Sequence, residues 1–497
     1  MERPQRIGRR QLLRMLSGGG TGMAALSTMG AAGAGLATMM ESAPNALEAA
    51  QAATRRGLPR LKITDIKVIR TQVNNTHMCN AKVYTSEAGL YGVGDGNHSE
   101  RTHLVAETIE KFLKPAVVGR YCDEIEDIWQ MAWLAPYWRG SVDASNAMSC
   151  IDGALWDIFG KRAGVPVYNF LGGKVRPSLP MFANVGGASL QAQEDNARRA
   201  METGYKYLRV ASVGKSGNAA AGGRGNAAGG GRAGGPGGAA AGPQPGGRGQ
   251  GNLPGGGGVG SPGFGERGPF YADRPLEIDY MTNLIESMEH LRNTIGFHVN
   301  LLGEVDSRLT PSNGLVLAKA LEPYRMFWLE EIFAPEDIAW HEQLRSVSST
   351  PIALGELFVS QAEWVPLVSR RLMDFMRMHI SACGGLNMAR NVASCCEFFG
   401  VRTAWHGPGN VSPVGHAVNM HIDLAVPNFG CGEGGPFSQT LQELFPGCPE
   451  RRNGLTIPND LPGLGIDIDE TVAAKFVSTT PGSDRGYRCN DGSPCRP

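Results

Sequence analysis

From Leu61 the chain alternates apolar and polar residues (LKITDIKVIRTQV), and the same two-residue period returns at Lys82–Tyr84 and in LYGVGDG from Leu90. That period predicts strands with one buried face. It then lengthens to that of amphipathic helices over Glu100–Val118, Glu124–Trp133 and Ala144–Ala163. Three strands followed by helices describe an α+β unit. After Leu171-Gly172-Gly173 short apolar runs alternate with helical segments: PMFANV, KYLRVA, HVNLLGE, MFWLEE, PIALGE, DFMRMHI, VRTAWH and LAVPNFG. Eight such strands predict a (β/α) barrel. The loop-rich tail beyond Glu433 is expected to return to the N-terminal unit.

Glycine interrupts this series directly after the second barrel strand. Residues 214–268 hold 25 of the 69 glycines, and such a segment cannot bury enough apolar surface to offset the entropy of ordering it. It is expected to be disordered. The organisation expected is therefore a leader over 1–52, an α+β capping domain over 60–175, a barrel over 176–433 carrying the 214–268 insert, and a C-terminal segment over 434–497.

The leader begins MERPQRIGRRQLLRML, and its Arg9-Arg10 pair ahead of Gln11-Leu12-Leu13 has the form of a twin-arginine export signal. Small residues at Ala50-Gln51-Ala52 offer a cleavage site. Seven glycines between residues 15 and 40 make a poor membrane span. A periplasmic protein without stable membrane association after signal removal is the expectation. Net charge is zero, but residues 1–56 and the insert are each net +4, leaving the folded body acidic. An acidic body speaks against a nucleic-acid surface. Ten cysteines in 497 residues do not suggest a disulfide scaffold. Cys489 and Cys495 bracket a turn that either a disulfide closes or two free thiols flank.

Glu304, Glu330 and Glu356 end three consecutive barrel strands at intervals of 26 residues, one strand-loop-helix unit each. Strand C-termini face the mouth of a barrel. Three carboxylates converging there repel unless a cation neutralises them. A hard divalent ion is the natural resolution, Mg²⁺ before Ca²⁺, because a compact octahedron leaves positions for water and substrate. Further round the rim stand Arg209 after strand two, Arg377 and His379 after strand six, His406 after strand seven and Glu433 after strand eight. Cations and proton carriers facing a metal suit removal of a proton α to a carboxylate, with the metal stabilising the enediolate.

These residues, with GVGDGN, EIEDIWQMAW, APYWRG, IDGALWDIFGKRAGVPVYNFLGG, SRLTPSNG, LEPYRMFWLEE, PIALGELF, AWHGPGNVSPV and PGLGIDIDE, resemble the enolase superfamily, and within it the D-mannonate dehydratases. The similarity runs from Leu61 to Phe476 apart from the insert. It implies an α/β fold, a (β/α)7β TIM-type barrel under an N-terminal α+β cap. It also implies Mg²⁺ on Glu304, Glu330 and Glu356, an acid-sugar substrate touched by Arg377, His406 and Glu433, and a homo-oligomer.

Four departures bear on the reaction. The family pairs the arginine at Arg209 with a tyrosine about a dozen residues on, as general base; here the nearest are Tyr271 and Tyr280, beyond the insert. The first metal ligand is Glu304 where the family has Asp. Asp306 stands where the family has an acid His. His77 and Asn184 occupy substrate-contacting positions where the family has Asn and then His. The base is then expected from His406 or His379, unless Tyr271 folds back, and the acid for the departing hydroxyl from Asp306 or His406. A Mg²⁺-dependent acid-sugar dehydratase is the leading expectation. A racemase or epimerase using the same enediolate, or a degenerate protein that binds metal and carboxylate without turnover, are the alternatives.

Overall fold

The computed structural model describes residues 59–479 except 75, 98–100, 214–270 and 274–275, together with 486–489 and 493–495. The leader and the glycine insert lie outside the described residues.

The cap opens with an antiparallel sheet of β1 (Ile63–Val73), β2 (Thr76–Thr85) and β3 (Tyr91–Asp95), with Val68 opposite Ala81 and Val83 opposite Gly92. The helix read over Glu100–Val118 is divided. An α-helical turn over Thr102–Thr108 passes into a π-helical turn at Ile109–Leu113 before Lys114–Val117. Pro115 has no amide to give to a regular ladder, and the Lys114 N–H reaches back to Ile109 instead. Ile125–Leu134 forms the next helix. The long helix Val142–Ala163 starts at a Ser141 side chain that accepts from the Ala144 N–H, and stops at the left-handed Gly164 (φ 70°).

That helix lies against β3 at backbone distance. A Cβ on Gly94 would sit 1.8 Å from the Cys150 carbonyl oxygen, and one on Gly92 would sit 2.0 Å from that of Ala154. Both positions therefore require glycine. The approach brings Asp95 at the end of β3, and Asn97 in the loop that follows, to the barrel residues Ser412 and Asn410.

Seven parallel strands build most of the barrel: β4 (Phe182–Val185), β5 (Tyr207–Val210), β6 (Asn300–Glu304), β7 (Trp328–Glu330), β8 (Ile352–Leu354), β9 (Phe375–Met376) and β10 (Arg402–Thr403), hydrogen-bonded in that order. Each falls within the expected apolar run. The eighth differs. Leu424 and Ala425 belong to the helix Pro413–Ala425, and the strand beyond it is reduced to two bridges, Thr403 to Phe429 and Gly432 to Met181. These bridges close the ring between β10 and the residue preceding β4. Pro427 cannot donate to a ladder, and Gly430 and Gly432 weaken one.

Phe182, Leu302, Trp328, Ala353, Phe375, Ala404 and Cys431 fill the barrel interior as one buried cluster. Arg377 lies above this floor, its guanidinium carbon 5.4 Å from the Trp328 ring centroid and 5.6 Å from that of Phe182. In the C-terminal segment, the Gln72 N–H donates to the Phe476 carbonyl, Tyr91 donates to Asp467, and Lys82 pairs with Glu470 at 3.2 Å. Residues 486–488 instead pair in parallel with Tyr271–Asp273, directly after the insert. Cys489 is a free thiol, and the side chain of Cys495 lies outside the described residues.

Gly94→Ala should destabilise the protein by ~1–3 kcal/mol, because overpacking here meets backbone rather than a movable side chain. Gly153→Ala, on the same helix, meets only 3.7 Å contacts and should gain up to ~1 kcal/mol of helix propensity. Urea denaturation of the two variants checks the contrast, and equal stabilities would reject backbone contact as the constraint.

Candidate active site

Strand ends deliver three carboxyls to one point. Glu304 is the last residue of β6, Glu330 the last of β7, and Glu356 follows β8 across Gly355. One oxygen from each lies within 4.8 Å of the others. Glu330 is fully buried; its Oε1 accepts from Arg377 Nε at 2.7 Å and its Oε2 from Trp328 Nε1 at 3.1 Å. Burial, reinforced by Glu330 and Glu433, pushes the Glu304 carboxyl up to about 7 against the pull of Arg209. Burial, with Glu331, Glu330 and Glu304 beside it, raises Glu356 well above the carboxylate range.

Two guanidiniums hold the cluster together. Arg377, wholly buried, reaches Glu433 Oε2 through Nη2 at 2.7 Å, while Nη1 donates to the carbonyls of Ala404 and Trp405. Arg209 donates from Nε to Asn184 Oδ1 at 2.7 Å and from Nη1 to Glu304 Oε1 at 3.0 Å, with Glu433 Oε1 at 3.4 Å. Burial alone would raise Glu433, but the charges of Arg377 and Arg209 hold it well below the ordinary carboxylate range. Glu304, Glu330, Glu331, Glu356 and Glu433 thus stand against two arginines. The excess of buried negative charge, centred on three convergent oxygens, fits a divalent cation.

Beside the carboxyls lies a chain of imidazoles. His379 Nε2 is 2.7 Å from the Asn97 carbonyl oxygen, which can only accept, so that nitrogen carries the proton. Nδ1 of a neutral His379 is then an acceptor, and His406 Nδ1, 3.2 Å away, is the donor. Burial lowers the His406 pKa well below its ordinary value, which favours the neutral ring. The remaining nitrogen of His406, Nε2, is left with its lone pair towards the carboxyl cluster, 3.1 Å from Glu356 Oε2. The cap fixes the start of this chain. Asn97 accepts from the Cys79 N–H at 2.6 Å, donates its own N–H to Asp95 at 3.2 Å, and donates from Nδ2 to the Asn410 carbonyl.

Of the residues expected at the site, the structure brings together Glu304, Glu330, Glu356, Arg209, Arg377, His379, His406, Glu433 and Asn184. His77 reaches Ser478 Oγ at 2.9 Å, and its carbonyl accepts from Asn97 Nδ2 at 3.4 Å. Asp306 turns to Arg308, two residues on, in a left-handed backbone conformation (φ 51°). The Tyr280 hydroxyl is engaged with the Glu304 backbone carbonyl, and the side chain of Tyr271 lies outside the described residues. Two contributors were not legible in the sequence: the Asn97 carbonyl, a backbone group in GVGDGN, and Glu331, hidden beside Glu330 in FWLEE. Among the described residues no helix is long and apolar enough to cross a membrane.

Comparison with known proteins agrees with this geometry. Residues 51–172 match the mandelate racemase/muconate lactonizing enzyme N-terminal domain, and residues 273–472 match the enolase C-terminal domain-like family. The curated protein D-galactonate dehydratase family member RspA of Pantoea ananatis is 42% identical over 419 residues, covering 84% of this chain and 95% of that one. A D-galactonate dehydratase family member of Enterococcus gallinarum is 35% identical, covering 88% and 99%. A crystal structure of an enolase from Pantoea ananatis with bound D-gluconate and Mg superposes with a TM-score of 0.75 at 40% identity, over 88% of this chain and all of that one. The chain belongs to the enolase superfamily, in the D-galactonate dehydratase family. It is an enzyme of the hydro-lyase class. The sequence resemblance had pointed to the D-mannonate dehydratases of the same superfamily.

Glu330→Gln should weaken Mn²⁺ binding by at least ~100-fold, since it removes a ligand and the partner of Arg377 together. Calorimetric titration with Mn²⁺ measures this, and wild-type affinity in the variant would rule out the three-glutamate site.

Proposed function

We propose that this protein is a Mg²⁺-dependent dehydratase of an acid sugar, with Glu304, Glu330 and Glu356 holding the metal and His406 Nε2 as the base. The observation that carries this reading is the imidazole chain from the Asn97 carbonyl through His379 to His406, whose Nε2 lies 3.1 Å from Glu356 at the carboxyl cluster. The relative solved with D-gluconate and Mg supports a sugar acid as the substrate class. When bound, Mg²⁺ supplies the positive charge that a substrate carboxylate needs as its α-carbon becomes acidic.

The residues of this chain then perform the proton work. His406 Nε2 takes the proton from the carbon α to the carboxylate. The electron pair of that C–H bond forms a C=C bond as the C–O bond at the β-carbon breaks. The hydroxyl leaves with a proton as water, and the enol tautomerises to a 2-keto-3-deoxy acid. His406, now protonated at Nε2, is the donor for the departing hydroxyl, because Asp306 is paired with Arg308. His379, held by the Asn97 carbonyl, keeps the His406 ring in its working tautomer. Arg377, wholly buried, holds Glu330 and Glu433 in place rather than touching the sugar, and Arg209 steadies Glu304 and Glu433 beside it.

Incubation of the Mg²⁺-loaded protein in D₂O with D-gluconate, D-galactonate, D-mannonate and related acids tests the reaction. A keto-deoxy acid product is expected. Deuterium at the α-carbon with the hydroxyl retained would instead identify a racemase or epimerase, and binding without exchange would identify a degenerate binding protein. His406→Ala should lower kcat/KM by roughly 10²–10⁴-fold.

The Arg9-Arg10 pair ahead of Gln11-Leu12-Leu13 supports export of the folded enzyme by the twin-arginine route to the periplasm, and the matched N-terminal domain begins at residue 51, where the leader ends. Replacing Arg9 and Arg10 with Lys should leave the uncleaved precursor in the cytoplasm. Cell fractionation with mass spectrometry reads the outcome, and mature protein in the periplasm would reject this route.

A further inference from the structure

Glu331 lies just beyond β7, where strand alternation would turn its side chain to the face opposite Glu330. It is nevertheless buried, and it adopts a left-handed backbone (φ 47°) that a non-glycine residue keeps only when its surroundings over-determine it. Its contacts supply that determination. Oε1 accepts the Gly355 N–H at 2.8 Å, and the carboxyl also receives the Glu356 N–H. Oε2 lies 3.5 Å from Ser307 Oγ, the Glu331 carbonyl accepts the Ser307 N–H at 2.7 Å, and its own N–H donates to the Ala353 carbonyl at 3.0 Å.

One residue thus touches the turns that follow all three ligand-bearing strands. Those turns are all unusual: Asp306 and Ser307 have φ of 51° and 53°, and Gly355 has φ of 137°. Gly355 has no alternative, because a Cβ there would lie 2.8 Å from the Met378 nitrogen. The arrangement has an electrostatic cost. A carboxyl between Glu330 and Glu356 is repelled by both, and a residue serving only to fill space would avoid that repulsion. The backbone amides of Gly355 and Glu356 are what a carboxyl there satisfies.

We propose that Glu331 is a positioning residue for the metal site: its carboxyl fastens the Gly355–Glu356 turn to the ends of the preceding strands and thereby aims Glu356 at the ion. The proposal rests on the reading that Glu304, Glu330 and Glu356 hold the metal. Mn²⁺ alone is the probe, with free Mn²⁺ followed by electron paramagnetic resonance during titration of wild type, Glu330→Gln, Glu331→Ala and Glu331→Gln. Wild-type affinity in Glu330→Gln would sink the three-glutamate reading and this inference with it.

With that control lost as expected, Glu331→Ala should weaken Mn²⁺ about 10–100-fold. Glu331→Gln keeps an oxygen for the turn amides and should restore affinity to within about threefold of wild type. Unchanged affinity in Glu331→Ala overturns the proposal and leaves the metal assignment standing. Loss in Glu331→Gln as large as in Glu331→Ala also overturns it, since charge rather than hydrogen bonding to the turn would then be the cause. If Glu331→Ala does not fold, Glu331→Gln decides alone: near-wild-type affinity supports the proposal, and a tenfold loss overturns it.

Discussion

The buried ion pairs of Arg377 are the constraint on which the rest of the site depends. A guanidinium with no solvent exposure has to be matched by acceptors in the planes of its N–H groups, or the barrel interior could not hold it. Glu330, Glu433 and the carbonyls of Ala404 and Trp405 provide that match, and the aromatic floor of Trp328 and Phe182 supports it from below. In return, the fixed guanidinium holds Glu330 of the carboxyl cluster on one side and Glu433, just past the bridge at Gly432, on the other. Arg209 repeats the pattern between Glu304 and Glu433, so the two cations share Glu433 as a common anchor.

The cap reaches the candidate site through its backbone. The absence of side chains at Gly92 and Gly94 lets β3 lie on the helix Val142–Ala163, and the loop leaving β3 carries the Asn97 carbonyl to His379. A carbonyl oxygen is a suitable element for this task, because it cannot change protonation state and so imposes one tautomer on the imidazole it meets. Glycine packing in the cap therefore bears on which nitrogen of His406, in the barrel, faces Glu356 and which faces His379.

Much of the barrel was legible in the sequence because apolar runs at strand length recur with regular spacing, and seven of the eight became strands. The three convergent carboxyls were legible for the same reason, since each stands at the end of such a run. What stayed hidden was set by backbone conformation. A two-residue period would place Glu331 on the face opposite Glu330, whereas it is buried with a positive φ. Asn97 acts through its carbonyl, and main-chain atoms leave no mark on composition or spacing. Asp306 is the converse case, a residue with suitable chemistry at a suitable position that a local pairing with Arg308 engages.

The barrel's last strand has one further consequence. A ring held by continuous ladders spreads any distortion over all its strands, whereas a ring with a seam confines it there. Here the seam is the pair of bridges at Phe429 and Gly432, and the next residue but one past Cys431 is Glu433, which both arginines grip. The carboxylate that both arginines contact is thus mounted where two bridges, not a continuous ladder, close the wall. One carboxylate can be shared by guanidiniums from two sides of the barrel because the segment that bears it is not tied into either neighbouring ladder residue by residue.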